Sequence, residues 1–219
     1  MAALKREDRL RFPVWAVLGL VLLFAAIAAA VSLNVTAPFD RVILLSLRHP
    51  ANISRPIGPA WLFETMRDLT SLGSIVVLLL FTVTLAGYWL LTGRRRAAAL
   101  LIAALIGAIV LNDLLKLAFE RPRPDAILQS ARVFSSDFPS GHAAISSAVY
   151  FSASLLAGSQ PAMRGARRFL LYLAGLVIVV IGFSRLYLGL HYPTDILAGW
   201  CVGGALVLAL APAIAASAE

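Results

Sequence analysis

Six stretches of this chain are apolar, nearly free of charge, and close to the length a helix needs to cross a lipid bilayer. Val14 to Leu33 is the first, twenty residues without an ionisable side chain. Leu72 to Thr92, Ala97 to about Phe119, Gly141 to about Gly158, Phe169 to about Arg185, and Thr194 to about Ala213 follow. About twenty residues span the roughly 30 Å hydrocarbon layer as a helix. Within that layer backbone polar groups must be satisfied internally, which leaves helices or a closed barrel. The expected fold is all-α: a six-transmembrane-helix bundle, with residues 1–219 as a single integral-membrane domain. Composition agrees. Hydrophobic residues make up 60% of the chain, charged residues 14%, and the mean hydropathy is +0.87. Soluble domains average roughly 45–50% apolar and about 25% charged.

The first run has a competing reading as a cleaved signal peptide, because Ala28-Ala29-Ala30 is small enough for a cleavage site. It is long for the core of such a peptide, so a retained span is favoured. Residues 34–71 are mixed. Pro38, Pro50, Pro56 and Pro59 break the chain, and charges alternate with apolar residues. This segment reads as an extracytoplasmic loop carrying one or two amphipathic helices, with Phe39, Trp61 and Phe63 at headgroup level.

The net charge of +8 invites a nucleic-acid reading, but no basic stripe is interleaved with aromatics. The cations cluster in short pieces instead. Residues 1–13, the Arg94-Arg95-Arg96 turn and the loop with Arg164, Arg167 and Arg168 hold ten of the nineteen Lys and Arg residues. With six spans these three pieces share one side, which the positive-inside rule makes cytoplasmic. Both termini then lie in the cytoplasm. The compact, short-looped build fits a bacterial inner membrane. The lone cysteine, Cys201, reads as a small buried hydrophobe and supports neither an intramolecular disulfide nor a Cys-based metal site.

Three polar clusters fall on the opposite, extracytoplasmic side. Lys116 ends the third span, and Arg123-Pro124 lies in the loop beyond it. Two cations near one point suit a phosphate dianion. Arg121 and Arg132 read as side chains reaching for lipid headgroups. Pro139-Ser140-Gly141-His142 opens the fourth span. There Ser140 can cap the helix, Gly141 admits a ligand close to the backbone, and the free N–H groups attract an anion. The fourth span is rich in Ala, Ser and Gly, as a central, closely packed helix would be. The last cluster runs from Ser184-Arg185 to His191 and Asp195. Asp195 can hydrogen-bond one imidazole nitrogen of His191 and leave the other free to attack. Asp113, Glu120, Asp125 and Asp137 match no metal motif, so no cofactor or catalytic metal is expected.

Taken together, the clusters resemble the signature of the type 2 phosphatidic acid phosphatase (PAP2) superfamily, in its membrane-bound lipid phosphatase branch. That signature is Lys, six residues, Arg-Pro; then Pro-Ser-Gly-His; then Ser-Arg, five residues, His, three residues, Asp. All eleven fixed positions are matched, at Lys116, Arg123, Pro124, Pro139 to His142, Ser184, Arg185, His191 and Asp195. The resemblance spans about residues 60–210. It implies His191 as nucleophile, Asp195 as its orienting partner and His142 as general acid. It also implies a phosphate cradle of Lys116, Arg123, Arg185, Ser140 and Gly141, and a metal-independent hydrolase acting through a phosphohistidine. The implied substrates are phosphorylated amphiphiles: phosphatidic acid, phosphatidylglycerol phosphate or an undecaprenyl pyrophosphate. Phosphotransfer to another acceptor is the alternative with the same chemistry. A transporter using the cradle only to hold an anion would place polar residues at mid-membrane, whereas here the span centres are clean. The vanadium haloperoxidases share the signature, but six spans argue against that reading. Neither headgroup choice nor oligomeric state is legible.

Overall fold

The computed structural model describes residues 14–119, 121, 124, 138–159 and 165–217. Its helices are α1 (Val14–Ser32), α2 (Ala37–Ser46), α3 (Ala60–Ser71), α4 (Ile75–Leu91), α5 (Arg95–Phe119), α6 (Gly141–Gly158), α7 (Arg167–Tyr187) and α8 (Pro193–Ala216). A short antiparallel ribbon, β1 (Arg48–His49) and β2 (Asn52–Pro56), lies between α2 and α3. This ribbon is absent from the expectation for residues 34–71, since a two-residue strand and a five-residue strand ending in Pro56 leave no alternation to read. Asn52 holds it locally, its Oδ1 accepting from the Ser54 N–H at 3.1 Å and the Ser54 hydroxyl at 2.6 Å. Phe39 and Trp61 are exposed, as headgroup-level side chains would be, whereas Phe63 is half-buried and packs on Tyr187, Leu188 and Leu190.

Among the described residues, four helices are long and apolar enough to cross a membrane on their own: α1, α5, α7 and α8. A fifth crossing appears only if α3 and α4 count as one span, bent by 49°. The bend falls where the second run was expected to begin. Ser74 caps α4, its hydroxyl accepting from the Val77 N–H at 3.3 Å. At the same joint the Leu72 carbonyl accepts from the Tyr150 hydroxyl of α6 at 2.8 Å, which satisfies an acceptor that the end of α3 leaves open.

The remaining expected span, α6, falls short of lipid-facing hydropathy because it does not face lipid. Thirteen of its eighteen residues are buried. A helix wrapped in other helices gains from close approach rather than from apolar bulk. Two of its serines are satisfied locally or across to α7: the Ser147 hydroxyl donates to the Ala143 carbonyl at 2.7 Å and the Ser154 hydroxyl to the Leu170 carbonyl at 3.1 Å. Helix α8 lies closest against it. A Cβ on Gly199 would sit 2.6 Å from the Ser140 carbonyl oxygen, and one on Gly203 would sit 2.3 Å from that of Ala144. These glycines four apart let two backbones touch. The main core, with Leu78, Trp89, Leu101, Val149 and Leu156, joins α4, α5 and α6.

The two ends of the bundle differ. At one, Arg94 donates to the Leu156 carbonyl at 2.8 Å and to the Ser159 hydroxyl at 3.2 Å, while Arg96 donates to the Ala216 carbonyl at 3.2 Å. Cations here meet the negative ends of α6 and α8, and α7 begins here with Arg167 and Arg168. The other end gathers the end of α5, the start of α6, the end of α7 and the start of α8.

Candidate active site

The site end is built on two helix starts that touch. Ser140 occupies the N-cap position of α6, and its N–H donates to the Asp195 carbonyl at 3.0 Å. One hydrogen bond thus ties the Pro-Ser-Gly-His start of α6 to the first turn of α8. The expected cap by the Ser140 side chain is not formed. Its hydroxyl is buried and has no hydrogen-bond partner among the described residues. A buried hydroxyl in that state costs about 1–3 kcal/mol, which a ligand oxygen would relieve. Gly141 is needed for close approach, though to protein: a Cβ there would lie 3.1 Å from the Nδ2 of Asn112. Asn112 is buried on α5, one turn before Lys116, and sequence reasoning passed over it. Its signal, an amide beside Asp113 inside an apolar run, was available.

The path from α7 into α8 explains where His191 lies. Helix α7 ends on Gly189, whose φ of 70° is a left-handed conformation that glycine adopts without strain. The Leu190 N–H then returns to the Arg185 carbonyl at 3.0 Å and the Gly189 N–H to the Leu186 carbonyl at 3.0 Å, closing a Schellman turn. His191 follows at once and is buried. Tyr192 caps α8 and Pro193 takes its first turn.

Asp195 is fully buried, and its oxygens have distinct partners. Oδ2 accepts from the Tyr192 N–H at 2.8 Å and lies 3.9 Å from His191 Nδ1. The latter is an ion-pair approach, longer than the expected hydrogen bond. Catalytic hydrogen bonds are often long before substrate binds. Oδ1 is held by Arg121.

Arg121 therefore corrects the sequence reading. It does not reach for headgroups: its side chain is 12% exposed and bridges two buried carboxylates, Asp195 and Asp40. The Arg121–Asp40 contact is 2.8 Å, a further bond to the Thr194 hydroxyl is 2.9 Å, and the guanidinium lies 4.5 Å from the centre of the Tyr192 ring. Burial alone would lower the Arg121 pKa; Asp195 and Asp40 more than reverse this, so it is raised. Asp40, from α2, also accepts from the Thr194 N–H at 3.1 Å and the Thr194 hydroxyl at 2.7 Å. Nothing in its local sequence marks this role.

The other expected site residues fall at the same end of the bundle. Lys116 is half-buried in the last turn of α5, and Arg185 is buried in the last turn of α7. His142 is half-buried in the first turn of α6, where its ring packs on the α3–α4 joint: a Cβ on Gly73 would meet His142 Cδ2 at 3.1 Å. Arg123 and Arg132 lie outside the described residues.

This arrangement brings a buried imidazole, a second imidazole, three described cations and a helix start to one end of a bundle. The family model for the PAP2 superfamily matches residues 97–218. The chain belongs to the PAP2 superfamily. Among relatives of this PAP2 protein, phosphatidylglycerophosphatase B of Bacillus subtilis is 34% identical, over 84% of this chain and 88% of its own length. Lipid A 1-phosphatase of Rhizobium etli is 31% identical, over 75% and 77% respectively. The crystal structure of a transmembrane PAP2-type phosphatidylglycerolphosphate phosphatase from Bacillus subtilis superposes with a TM-score of 0.79 at 29% identity, covering 90% of this chain and 94% of that one. The family match begins at residue 97, so Asp40, the ribbon and Gly73 lie before it.

Proposed function

We propose that this membrane lipid phosphatase of the PAP2 superfamily cleaves a phosphomonoester or pyrophosphate through a phosphohistidine at His191. In the first step His191 Nε2, the imidazole nitrogen other than the one facing Asp195, attacks phosphorus. The bond from phosphorus to the leaving oxygen breaks, and His142 gives that oxygen its proton. In the second step water attacks the phosphohistidine. His142 takes the water proton, the N–P bond breaks and inorganic phosphate leaves. Two easier displacements replace one hard one. Acid assistance by a placed histidine contributes typically 10²–10⁴-fold. Asp195 orients His191, and Lys116, Arg123 and Arg185 with the Ser140 hydroxyl and the Gly141 N–H hold the three equatorial oxygens. Phosphoryl transfer relies on such positioning and charge, which these groups supply without a metal.

The observation that carries this reading is the 3.0 Å bond from the Ser140 N–H to the Asp195 carbonyl. It joins the anion-binding helix start to the turn that bears the nucleophile. The whole of residues 1–219 forms one membrane domain in this reading, with α3–α4 and α6 completing six crossings. Arg94 to Arg96 and Arg167-Arg168 face the cytoplasm with both termini, and the site opens on the extracytoplasmic, periplasmic face of an inner membrane. A lipid substrate enters from that leaflet with its tail between helices. Phosphatidic acid, phosphatidylglycerol phosphate and undecaprenyl pyrophosphate are the candidates.

The test is phosphate release from a panel of these lipids by detergent-purified protein in the presence of a chelator. Wild type should turn over at least one of them, and His191→Ala should lose that activity. Full activity in His191→Ala would remove the nucleophile. Product analysis with added alcohols or lipid A-type acceptors separates hydrolysis from phosphotransfer.

A further inference from the structure

We propose that Arg121 and Asp40 are positioning residues that set the pH at which His191 becomes a nucleophile. The proposal rests on the reading of His191 given above and adds a control that acts through Asp195. One guanidinium serves two buried carboxylates. It holds Asp195 Oδ1, lies 2.8 Å from Asp40 and is itself buried. Asp195 Oδ2 in turn faces His191 Nδ1 at 3.9 Å. A carboxylate beside an imidazole favours the protonated ring, and a cation beside that carboxylate opposes it. Only the neutral ring has the lone pair that attacks phosphorus. Asp40 draws part of the Arg121 charge away from Asp195. How the guanidinium divides between the two acids therefore fixes how basic His191 is.

The geometry allows little slack in this division. Asp40 is anchored from outside the catalytic elements, its carboxylate taking both the N–H and the hydroxyl of Thr194, the residue next to Asp195. Tyr192 covers the guanidinium face on the other side. The other ionisable groups gathered at this end among the described residues are His142 on α6, Arg185 on α7 and Lys116 on α5. None of these three is altered in the variants below.

The signs are opposite for the two partners. In Arg121→Met one positive charge is lost beside Asp195. His191 then holds its proton to higher pH, and the acid limb of kcat/KM moves up by about one pH unit. In Asp40→Asn the guanidinium serves Asp195 alone, and the limb moves down. Arg121→Lys keeps the charge and should leave the limb near its wild-type position. Combining Arg121→Met with Asp40→Asn restores the net charge and should return the limb toward wild type. A purely architectural role would lower the rate in each variant without ordering the limbs in this way.

The experiment is a pH–rate profile for a short-chain lipid phosphate in detergent, with thermal melting of each variant as the check on folding. Imidazole titration by NMR provides a readout that needs no turnover, since the chain has three histidines in all. Opposite displacements of the His191 titration in Arg121→Met and Asp40→Asn are the expected result. Displacements of the same sign, or an unmoved titration with reduced rates, would overturn the proposal. Retained activity in His191→Ala would instead strike at the nucleophile assignment, and the NMR titration would still report on the charge division.

Discussion

Gly203 offers the most direct test of how the site is held together. Replacing it with alanine puts a methyl group 2.3 Å from the Ala144 carbonyl oxygen and 2.6 Å from Ser147 Cβ. The first obstacle is helical backbone, which cannot turn aside as a side chain can. Restoring ordinary contact requires α8 to back away from α6 by about 1 Å. Overpacking of this kind costs about 1–3 kcal/mol. Gly203 is eight residues beyond Asp195, about 12 Å along the helix, so the new methyl touches no reacting group. The displacement still reaches the site, because α6 carries Ser140 and His142 while α8 carries Asp195 and follows His191. A 1 Å misplacement of such groups costs on the order of 10²-fold in rate. Gly203→Ala should therefore lower both the midpoint of thermal inactivation and kcat for lipid phosphate hydrolysis in detergent. Gly199→Ala should act more strongly, since its Cβ meets the Ser140 carbonyl itself at 2.6 Å. Gly87→Ala and Gly175→Ala, in helices where nothing lies within 4 Å of the added Cβ, are the controls. They should keep activity and gain up to about 1 kcal/mol from helix propensity. Wild-type rate and stability in both Gly199→Ala and Gly203→Ala would refute the reasoning.

Ser140→Ala should separate stability from function. It removes a buried hydroxyl with no partner among the described residues, so melting should hold or rise, while kcat/KM falls about tenfold or more through loss of a bond to a charged oxygen. A destabilised variant with normal turnover would mean the hydroxyl serves the fold. Gly73→Ala presses on His142 and on Ile181 Cγ2, which its Cβ would approach to 2.6 Å; kcat should drop while competitive inhibition by inorganic phosphate stays near wild type. Trp89→Ala, far from the site, should cost about 3–5 kcal/mol as a large core deletion, with the loss of the Arg94 guanidinium packed 5.1 Å from its ring centre. Its activity at low temperature, per folded molecule, should match wild type.

What could be read from the chain alone follows from the range over which each signal acts. Five of the helices declare themselves through runs of apolar residues, and α6 through its small ones, because lipid or close packing imposes a constraint on every turn. The break at Gly73-Ser74 was legible as well: Glu64, Arg67 and Asp68 mark α3 as amphipathic, and the apolar run begins only at Leu72. The ribbon at 48–56 was hidden by its shortness. The candidate reacting groups were legible because the chemistry proposed for them demands particular side chains at fixed spacings. Supporting groups were not. Asp40, 155 residues before Asp195, has no spacing to obey, and Arg121 stands beside the motif cation Arg123, looking like a spare charge.

This asymmetry has a physical cause that bears on how such sites should be altered. A side chain that touches phosphorus has few substitutes, since a nucleophile, an acid and a planar cation are each supplied by one or two residue types. A side chain that only holds another in place can be replaced by any group that fills the same space and charge, from whichever segment passes nearby. In this fold the passing segments are α2 and the α3–α4 joint. Asp40 bears on Asp195 through Arg121 and Thr194, and Gly73 lies against the ring of His142. Exchanging residues 34–74 between relatives therefore reaches the site as well as the segment itself. An exchange that carries Asp40 without a matched Arg121, or replaces Gly73 with a larger residue, should impair turnover even where every signature residue is unchanged.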